Sequence, residues 1–161
     1  MTLPHRITPG LRRTLAAAGA VLALGAGAAA AGECPADKLG VDVTKPGTSM
    51  PKDVSDKVLA AIDLSKEPAM VQDRQFRIRR LEIKPGGIVP WHSHGNRPAL
   101  IYIVSGEITE YASNCAVPIV HKAGDVARET SVTSHWWKNH GRKTVVLLSA
   151  DLLQDKSDKS M

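Results

Sequence analysis

The chain has 161 residues, which is enough for one domain and little more. Its formal charge of +5 falls to +2 when the three arginines of the first 31 residues are set aside, because that segment holds no acidic residue. A charge this small gives no reason to expect a nucleic-acid partner, so the composition argues against that class of function.

Residues 1–31 have the layout of an export signal. Three arginines precede the apolar run TLAAAGAVLALGAGAAAAG, which ends in small residues. This order is typical of a secretory signal peptide, and the run is too short and too rich in Ala and Gly to favour a membrane anchor. We expect cleavage between Ala29 and Gly32, and a periplasmic or secreted protein with no membrane span. Adjacent arginines leave general secretion and twin-arginine export both open.

Residues 32–71 are expected to form an N-terminal arm with one short helix. The arm begins with a stretch that is rich in Pro and poor in apolar residues, which favours extended chain. In DVSDKVLAAIDL, residues 53–64, the apolar residues recur at helical spacing, with Asp53 in the N-cap position. Pro68 would prevent this helix from continuing.

Residues 72–152 are predicted to form a barrel of short strands. The strand-like runs are FRIRRLEI, PALIYIV, EITEYA, VPIVH, VARE, SHWWKN and TVVLLSADLL, and turns such as KPGG and KAGD separate them. Many short strands at regular spacing are typical of an all-β sandwich or barrel. The polar tail, residues 153–161, is predicted to be disordered.

Two cysteines, Cys34 and Cys115, remain after the expected cleavage. An exported protein meets an oxidising compartment, where cysteines pair. A bridge closing a loop of about 82 residues would stabilise the fold by about 4.5 kcal/mol in the chain-entropy treatment. We therefore expect a disulfide that ties the arm to the barrel, although the sequence leaves the distance between the two residues open.

His92 and His94 stand one residue apart, just before an apolar run. Side chains at i and i+2 of a strand share a face, so these two imidazoles point the same way, and His135, Trp137 and Asn139 share a face by the same rule. Histidines from two strands could converge inside a barrel, where neutral imidazole suits Zn, Cu, Fe and Ni. Three protein ligands would leave coordination positions open for water, dioxygen or substrate.

This pattern resembles the two motifs of the cupin superfamily. The first motif is G-x5-H-x-H-x(3,4)-E-x6-G and the second is G-x5-P-x-G-x2-H-x3-N. The matching positions are Gly86, His92, His94 and Gly106 in the first motif, and Gly124, His135 and Asn139 in the second, where Thr130 and Val132 replace Pro and Gly. The resemblance covers residues 72–151 and implies a small single-domain barrel of the double-stranded β-helix, or jelly-roll, type. It also implies that His92, His94 and His135 bind a divalent transition metal, namely Fe, Mn, Ni, Cu or Zn.

The sequence departs from the first motif at its glutamate. That place falls on Pro98 or Ala99, and neither side chain can coordinate a metal. Three alternatives follow: the histidines bind the metal without an acid, or another acid such as Glu82, Glu107 or Glu129 reaches in, or only a binding pocket remains. A divalent ion without a carboxylate ligand keeps its full charge, which raises its Lewis acidity and favours anionic ligands.

Three further residues are candidates for binding the ligand. Arg97 could hold a carboxylate or enolate with its guanidinium group, unless it lies on the surface of its turn. Trp137 faces the same way as the histidine of the second motif and could wall the pocket. Asn139 could support the site by a hydrogen bond or simply occupy a turn. His121 and His140 lie outside the motifs and are expected on the surface.

Two classes of function remain open. One is an exported metal-dependent cupin whose three-histidine site acts on a small oxygenated or anionic compound, by dioxygenase-type, isomerase or lyase chemistry. The other is a non-catalytic module that binds a small ligand or a metal. The fold does not choose between them, and the motifs supply no obvious acid or base beside the metal. Small barrels of this kind pair through their sheets, so the resemblance also implies a homodimer.

Overall fold

The computed structural model describes residues 32–154, which are almost entirely antiparallel strands. The strands within this range are β1 Lys52–Asp63, β2 Gln75–Ser93, β3 Ala99–Ser105, β4 Glu107–Ala112, β5 Ile119–Lys122, β6 Val126–Glu129, β7 Ser134–Lys138 and β8 Val145–Leu153. Single 3₁₀ turns lie at Ala36–Lys38 and Leu64–Lys66. The predicted signal peptide, and the predicted tail from residue 155 onward, fall outside the described residues. Within residues 32–154 no helix has the length and apolar character needed to cross a membrane.

The strands curl into a nearly closed barrel. Their order is β5-β4-β7-β2-β8-β3-β6, and β1 pairs with β2 beside this path. The long strand β2 belongs to both walls, because residues 75–83 pair with β8 and residues 88–93 pair with β7. The prediction of an all-β jelly-roll barrel is therefore confirmed.

Alternation along the strands places the core inside this barrel. In β3, for example, Ala99, Ile101 and Ile103 are buried, whereas Leu100 and Tyr102 between them are exposed. The main core cluster consists of Leu81, Ile83, Val89, Ile101, Ile103, Ile108, Ala127, Trp137, Val145 and Leu147. Burying each large apolar side chain of this kind contributes about 1.5–3 kcal/mol. The last residue of β8, Leu153, is also buried, so the barrel runs one residue past its predicted end.

Two glycines at the strand connections adopt backbone conformations that other residues rarely reach. Gly106 between β3 and β4 has φ 89°, and Gly124 between β5 and β6 has φ 98°. Glycine lacks the Cβ that makes positive φ costly, so both positions suit it. These are also two of the glycines that match the sequence motifs.

The predicted short helix over residues 53–64 is wrong. Those residues form most of β1, which pairs antiparallel with residues 75–88 of β2. In this pairing the backbone N–H and C=O groups of β1 form hydrogen bonds with β2, whereas in a helix they would have bonded to each other. Val58, Leu59 and Ile62, which produced the helical spacing, are half-exposed on the resulting strand. Tertiary pairing has outweighed a weak local preference.

The N-terminal arm runs along the end of β4. Cys34 and Cys115 form a disulfide, with their Cα atoms 5.8 Å apart. Leu39 makes an isolated antiparallel bridge with Cys115, and the Thr44 hydroxyl donates to the Cys115 carbonyl. The arm is therefore fastened to the barrel both covalently and through its backbone.

Candidate metal centre

Three histidines meet inside the barrel. His92 of β2 lies directly opposite His135 of β7, and His94 follows His92 by two residues. Their Nε2 atoms are 3.1 Å apart between His92 and His94, 3.0 Å between His94 and His135, and 3.1 Å between His92 and His135. His94 and His135 are buried and His92 is half-buried. The structure thus brings together the three residues that the motifs suggested as ligands.

Each ring is oriented by a hydrogen bond from its other nitrogen. His92 and His94 donate from Nδ1 to main-chain carbonyls at 2.9 and 2.8 Å. His135 donates from Nδ1 to Oε1 of Glu110 at 2.6 Å. Because these oxygens can only accept, the ring protons reside on Nδ1. The lone pairs of the three Nε2 atoms therefore face one another.

This arrangement fits a divalent transition metal. Bonds of about 2.0–2.1 Å would place three imidazole nitrogens about 2.9 Å apart on one face of an octahedron and about 3.4 Å apart in a tetrahedron. The observed separations of 3.0–3.1 Å fall between these values. An imidazole that donates its second N–H to a carbonyl or carboxylate is typical of metal ligands. All-nitrogen donor sets of this kind suit Zn, Cu, Fe or Ni.

Burial keeps two of these histidines neutral. Together with the nearby His135, it lowers the pKa of His92 to about 2 and the pKa of His94 to about 3. A neutral imidazole is the form that binds a metal. The two side chains are therefore ready to coordinate throughout the neutral pH range.

Among the described residues, no acid joins the three Nε2 atoms. Ala99, at the place of the motif glutamate, is buried and lies opposite Glu129 of β6. Oε1 of Glu129 is 3.4 Å from Nδ1 of His135, the ring nitrogen that does not face the other histidines. Glu82 and Glu107 remain on the surface. Of the three alternatives, the geometry matches a histidine site without an acid ligand.

A carboxylate that the sequence analysis did not single out lies behind His135. Glu110 of β4 accepts from His135 and also from Nε2 of His121, at 2.7 Å. The expectation that His121 lies on the surface is wrong, because the alternation of β5 turns it inward. The same alternation in EITEYA places Glu110 on the inward face of β4, and this period could have revealed it. We call Glu110, Glu129, His121 and His135 the Glu110 cluster.

The two acids of this cluster differ in charge. Burial alone would raise the pKa of Glu110, but hydrogen bonds from His121 and His135 outweigh it and lower that pKa to about 2. Burial and the adjacent Glu110 carboxylate raise the pKa of Glu129 well above its ordinary value. Two carboxyl groups in contact do not both ionise. The pair therefore carries one negative charge, which resides on Glu110.

Arg97 and Asn139, both predicted to bind the ligand, are buried in structural contacts. Nη1 of Arg97 lies 3.6 Å from Asp151, so this arginine is not on the surface of its turn. The amide nitrogen of Asn139 donates to the carbonyls of Ile83 and Lys143 at 2.9 and 2.8 Å. These two bonds hold the turn between β7 and β8.

Trp137 walls a small cavity beside the histidines. Its indole Nε1 lies 3.0 Å from Nδ1 of His135, and the two rings are inclined at 81°, so the N–H faces the imidazole ring. The cavity has a volume of about 20 Å³, which is room for about one water molecule. Its lining residues are Arg79, Leu81, Val89, His92, His94, Ile101, Trp137, Leu147 and Ser149. Any larger ligand would have to displace side chains.

A second group of buried charges surrounds Asp151. Arg77 donates to it from Nε and Nη2 at 2.9 and 2.8 Å, and Nε of Arg79 lies 3.3 Å away. Arg79 also pairs with Asp56. We call these residues, together with Arg97, the Asp151 cluster. Three guanidinium groups thus meet around Asp151.

Residues 79–151, which hold all three histidines and both acids of the Glu110 cluster, match a known protein family. That family is the cupin domain. The match includes β3 to β7 in full and supports the cupin superfamily for this chain. No curated protein sequence matches it.

Several solved structures share the cupin fold. A predicted oxalate decarboxylase from Thermotoga maritima is 23% identical, with a TM-score of 0.52, over 71% of this chain and 97% of its own. A protein with a double-stranded β-helix domain from Klebsiella pneumoniae is 18% identical, with a TM-score of 0.51, over 70% and 85%. An oxalate oxidase in complex with the substrate analogue glycolate is 19% identical, with a TM-score of 0.50, over 72% and 59%. At these identities the likeness establishes the fold alone.

Proposed function

We propose that this protein is an exported cupin that binds one divalent transition metal through His92, His94 and His135 and uses it on a small oxygenated or anionic compound. The observation that carries the proposal is the set of three Nε2 atoms, 3.0–3.1 Å apart, in rings that are each anchored through Nδ1. The bound metal would act as a Lewis acid with open coordination positions, which also suits dioxygenase-type chemistry.

The charges around the cavity support an anionic ligand. The three histidines are neutral ligands, and the one negative charge of the Glu110 cluster lies behind His135 rather than on the metal itself. Arg79 of the Asp151 cluster lines the cavity together with His92 and His94. Two of the three structural neighbours described above are named for oxalate, one of them in complex with glycolate. Small carboxylates are therefore the first class of compound to test.

A non-catalytic role in holding a small ligand or a metal is the alternative, and one observation favours it. The residues that line the cavity include no carboxyl group. The buried acids lie instead behind His135, where they contact Nδ1. A catalytic acid or base must reach the reacting atoms directly or through one water.

Export and a homodimer complete the proposal. The disulfide between Cys34 and Cys115 supports an oxidising compartment.

A second copy would cover Leu100 and Tyr102 of β3 and Val126 of β6, which are 55%, 45% and 47% exposed on the outer face. Light scattering of the mature protein should show a dimer that Tyr102→Glu dissociates, and a monomeric wild type would contradict this part of the proposal.

The proposal is tested by the metal content of mature protein purified from the periplasm of its source. We expect about one metal per chain in the wild type, loss of it in His92→Ala and His135→Ala, and full retention in His140→Ala. His140 is a matched control because it is exposed and its ring hydrogen-bonds to the Tyr111 hydroxyl, away from the three histidines. Folded wild-type protein that stays metal-free after soaking would overturn the metal site. If the wild type does bind metal, oxygen uptake by the metal-loaded protein in the presence of small carboxylates would distinguish a dioxygenase-type enzyme from a binding module.

A further inference from the structure

Glu110 joins two histidines that come from different strands. Its Oε1 accepts from Nδ1 of His135 at 2.6 Å, and its Oε2 accepts from Nε2 of His121 at 2.7 Å. The three side chains are 4% exposed or less. Short hydrogen bonds to a charged acceptor are stronger than neutral ones. Glu110 cannot turn away without leaving a buried imidazole N–H unsatisfied.

The contacts around Glu110 close into a ring. His121 stacks on Trp137, with centroids 4.7 Å apart and planes inclined at 25°. Trp137 in turn directs its indole N–H at the His135 ring, 3.0 Å from Nδ1. Each member of the ring therefore limits the motion of the next, and the orientation of His135 is set from two sides.

Glu129 provides an internal comparison. It is as buried as Glu110 and its Oε1 lies 3.4 Å from the same nitrogen of His135. The two acids are in contact, so one of them holds a proton. The two histidine N–H donors fall on Glu110, which makes Glu110 the ionised member. Both carboxyl groups are thus close to the proposed metal ligand, but only one brings a charge.

We propose that Glu110 is a positioning residue that supplies, from behind His135, the negative charge that the motif glutamate would have brought to the metal directly. The motif place falls on Pro98 or Ala99, and neither residue has a carboxylate. A carboxylate that accepts from a ligating imidazole raises the basicity of that ligand, and losing it typically costs 10–100-fold in metal affinity. With the charge moved behind His135, the coordination position of the missing glutamate stays open for a ligand. This inference rests on the proposed function, because it concerns a metal held by the three histidines.

The experiment compares Glu110→Gln with Glu129→Gln in the full mature chain. Both changes replace a carboxyl group by an amide of the same shape. Glu110→Gln removes the carboxylate that accepts from both histidines, whereas Glu129→Gln leaves that carboxylate in place. We expect Glu110→Gln to weaken Zn²⁺ binding about 10–100-fold in a chelator competition, and Glu129→Gln to leave it nearly unchanged. In Cu²⁺-loaded protein, the reduction potential should rise in Glu110→Gln alone, because a nearby negative charge favours the oxidised ion.

A second measurement does not depend on the variant folding. In metal-free wild type labelled with ¹⁵N-histidine, NMR should show His135 as the Nδ1–H form and His121 as the Nε2–H form, each with a low-field N–H proton. Absence of these signals would overturn the role of Glu110. The role of Glu110 would also be overturned if Glu110→Gln bound Zn²⁺ as tightly as the wild type, or if both variants lost the same amount of Zn²⁺ affinity. If the wild type binds neither Zn²⁺ nor Cu²⁺, the proposed function fails and this inference fails with it. If the wild type binds the metal and both variants bind it equally well, only this inference fails.

Discussion

The Glu110 cluster and the Asp151 cluster each hold two acids in the same barrel, but the acids have different partners. Those of the Asp151 cluster face guanidinium groups, which stay charged at any accessible pH and cannot bind a metal ion. Glu110 faces imidazoles, and one of them, His135, turns its other nitrogen toward two more histidines. The difference teaches that buried acids alone do not indicate a metal site. The chemistry of their partners decides it.

The largest effect is expected from Asp151→Ala. It leaves Arg77, Arg79 and Arg97 without their common carboxylate, which is buried. Breaking a buried ion pair in this way costs about 3–5 kcal/mol. Urea unfolding should show this loss in free energy of unfolding, while the folded variant keeps its metal. A loss below about 1 kcal/mol, the range of surface pairs, would mean that this cluster contributes nothing special to stability.

Metal binding should separate the two clusters in a thermal denaturation. Zn²⁺ at 100 times its Kd should stabilise the wild type by about 2.7 kcal/mol, and should not stabilise His94→Ala. Asp151→Ala should gain about the same increment as the wild type, because the polar partners described for Asp151 are arginines and not the three histidines. The main-chain carbonyl of Arg97 accepts from His94, so Arg97 contacts both sites. If Asp151→Ala loses the increment, the two clusters are coupled and the comparison fails.

His121→Phe tests the Glu110 cluster from its other side. Phenylalanine can keep the stacking on Trp137 but removes one of the two histidine donors to Glu110. We expect a loss of about 1–3 kcal/mol in the free energy of unfolding, the usual cost of an unsatisfied buried group. His140→Phe, at an exposed position, should be near neutral. Equal stability of His121→Phe and the wild type would contradict the account of a Glu110 held by two donors.

The smallest effect is expected from Glu82→Ala. Glu82 accepts from Arg80 at 2.9 Å, and the two side chains are 47% and 41% exposed. Exposed pairs contribute about 0–1 kcal/mol, so stability should hardly change. A loss as large as that of Asp151→Ala would show that burial is not what distinguishes the clusters from ordinary surface pairs.

Local chain pattern predicted most of the barrel and failed at β1. Strands from β3 to β8 carry alternating or β-branched runs, so their type could be read residue by residue. The turn predicted at KPGG is wrong as a strand end, because β2 continues through residues 84–87 to Ser93. Residues 53–64 carry apolar residues at helical spacing, and only pairing with the long strand β2 made them a strand. The spacing of apolar residues within one segment does not show whether a strand more than ten residues away will pair with it.

By itself, the sequence determined that His92 and His94 share a strand face, and that His135 follows in a matching frame, because side chains alternate strictly along a strand. It also determined that the motif glutamate is missing, since its place falls on Pro98 or Ala99. Only the tertiary structure decided that Glu110 and His121 stand behind His135 and that Arg97 belongs to the Asp151 cluster. Those contacts join strands that are distant in the chain, and their register, which sets the distances between buried charges, follows from how the whole barrel closes.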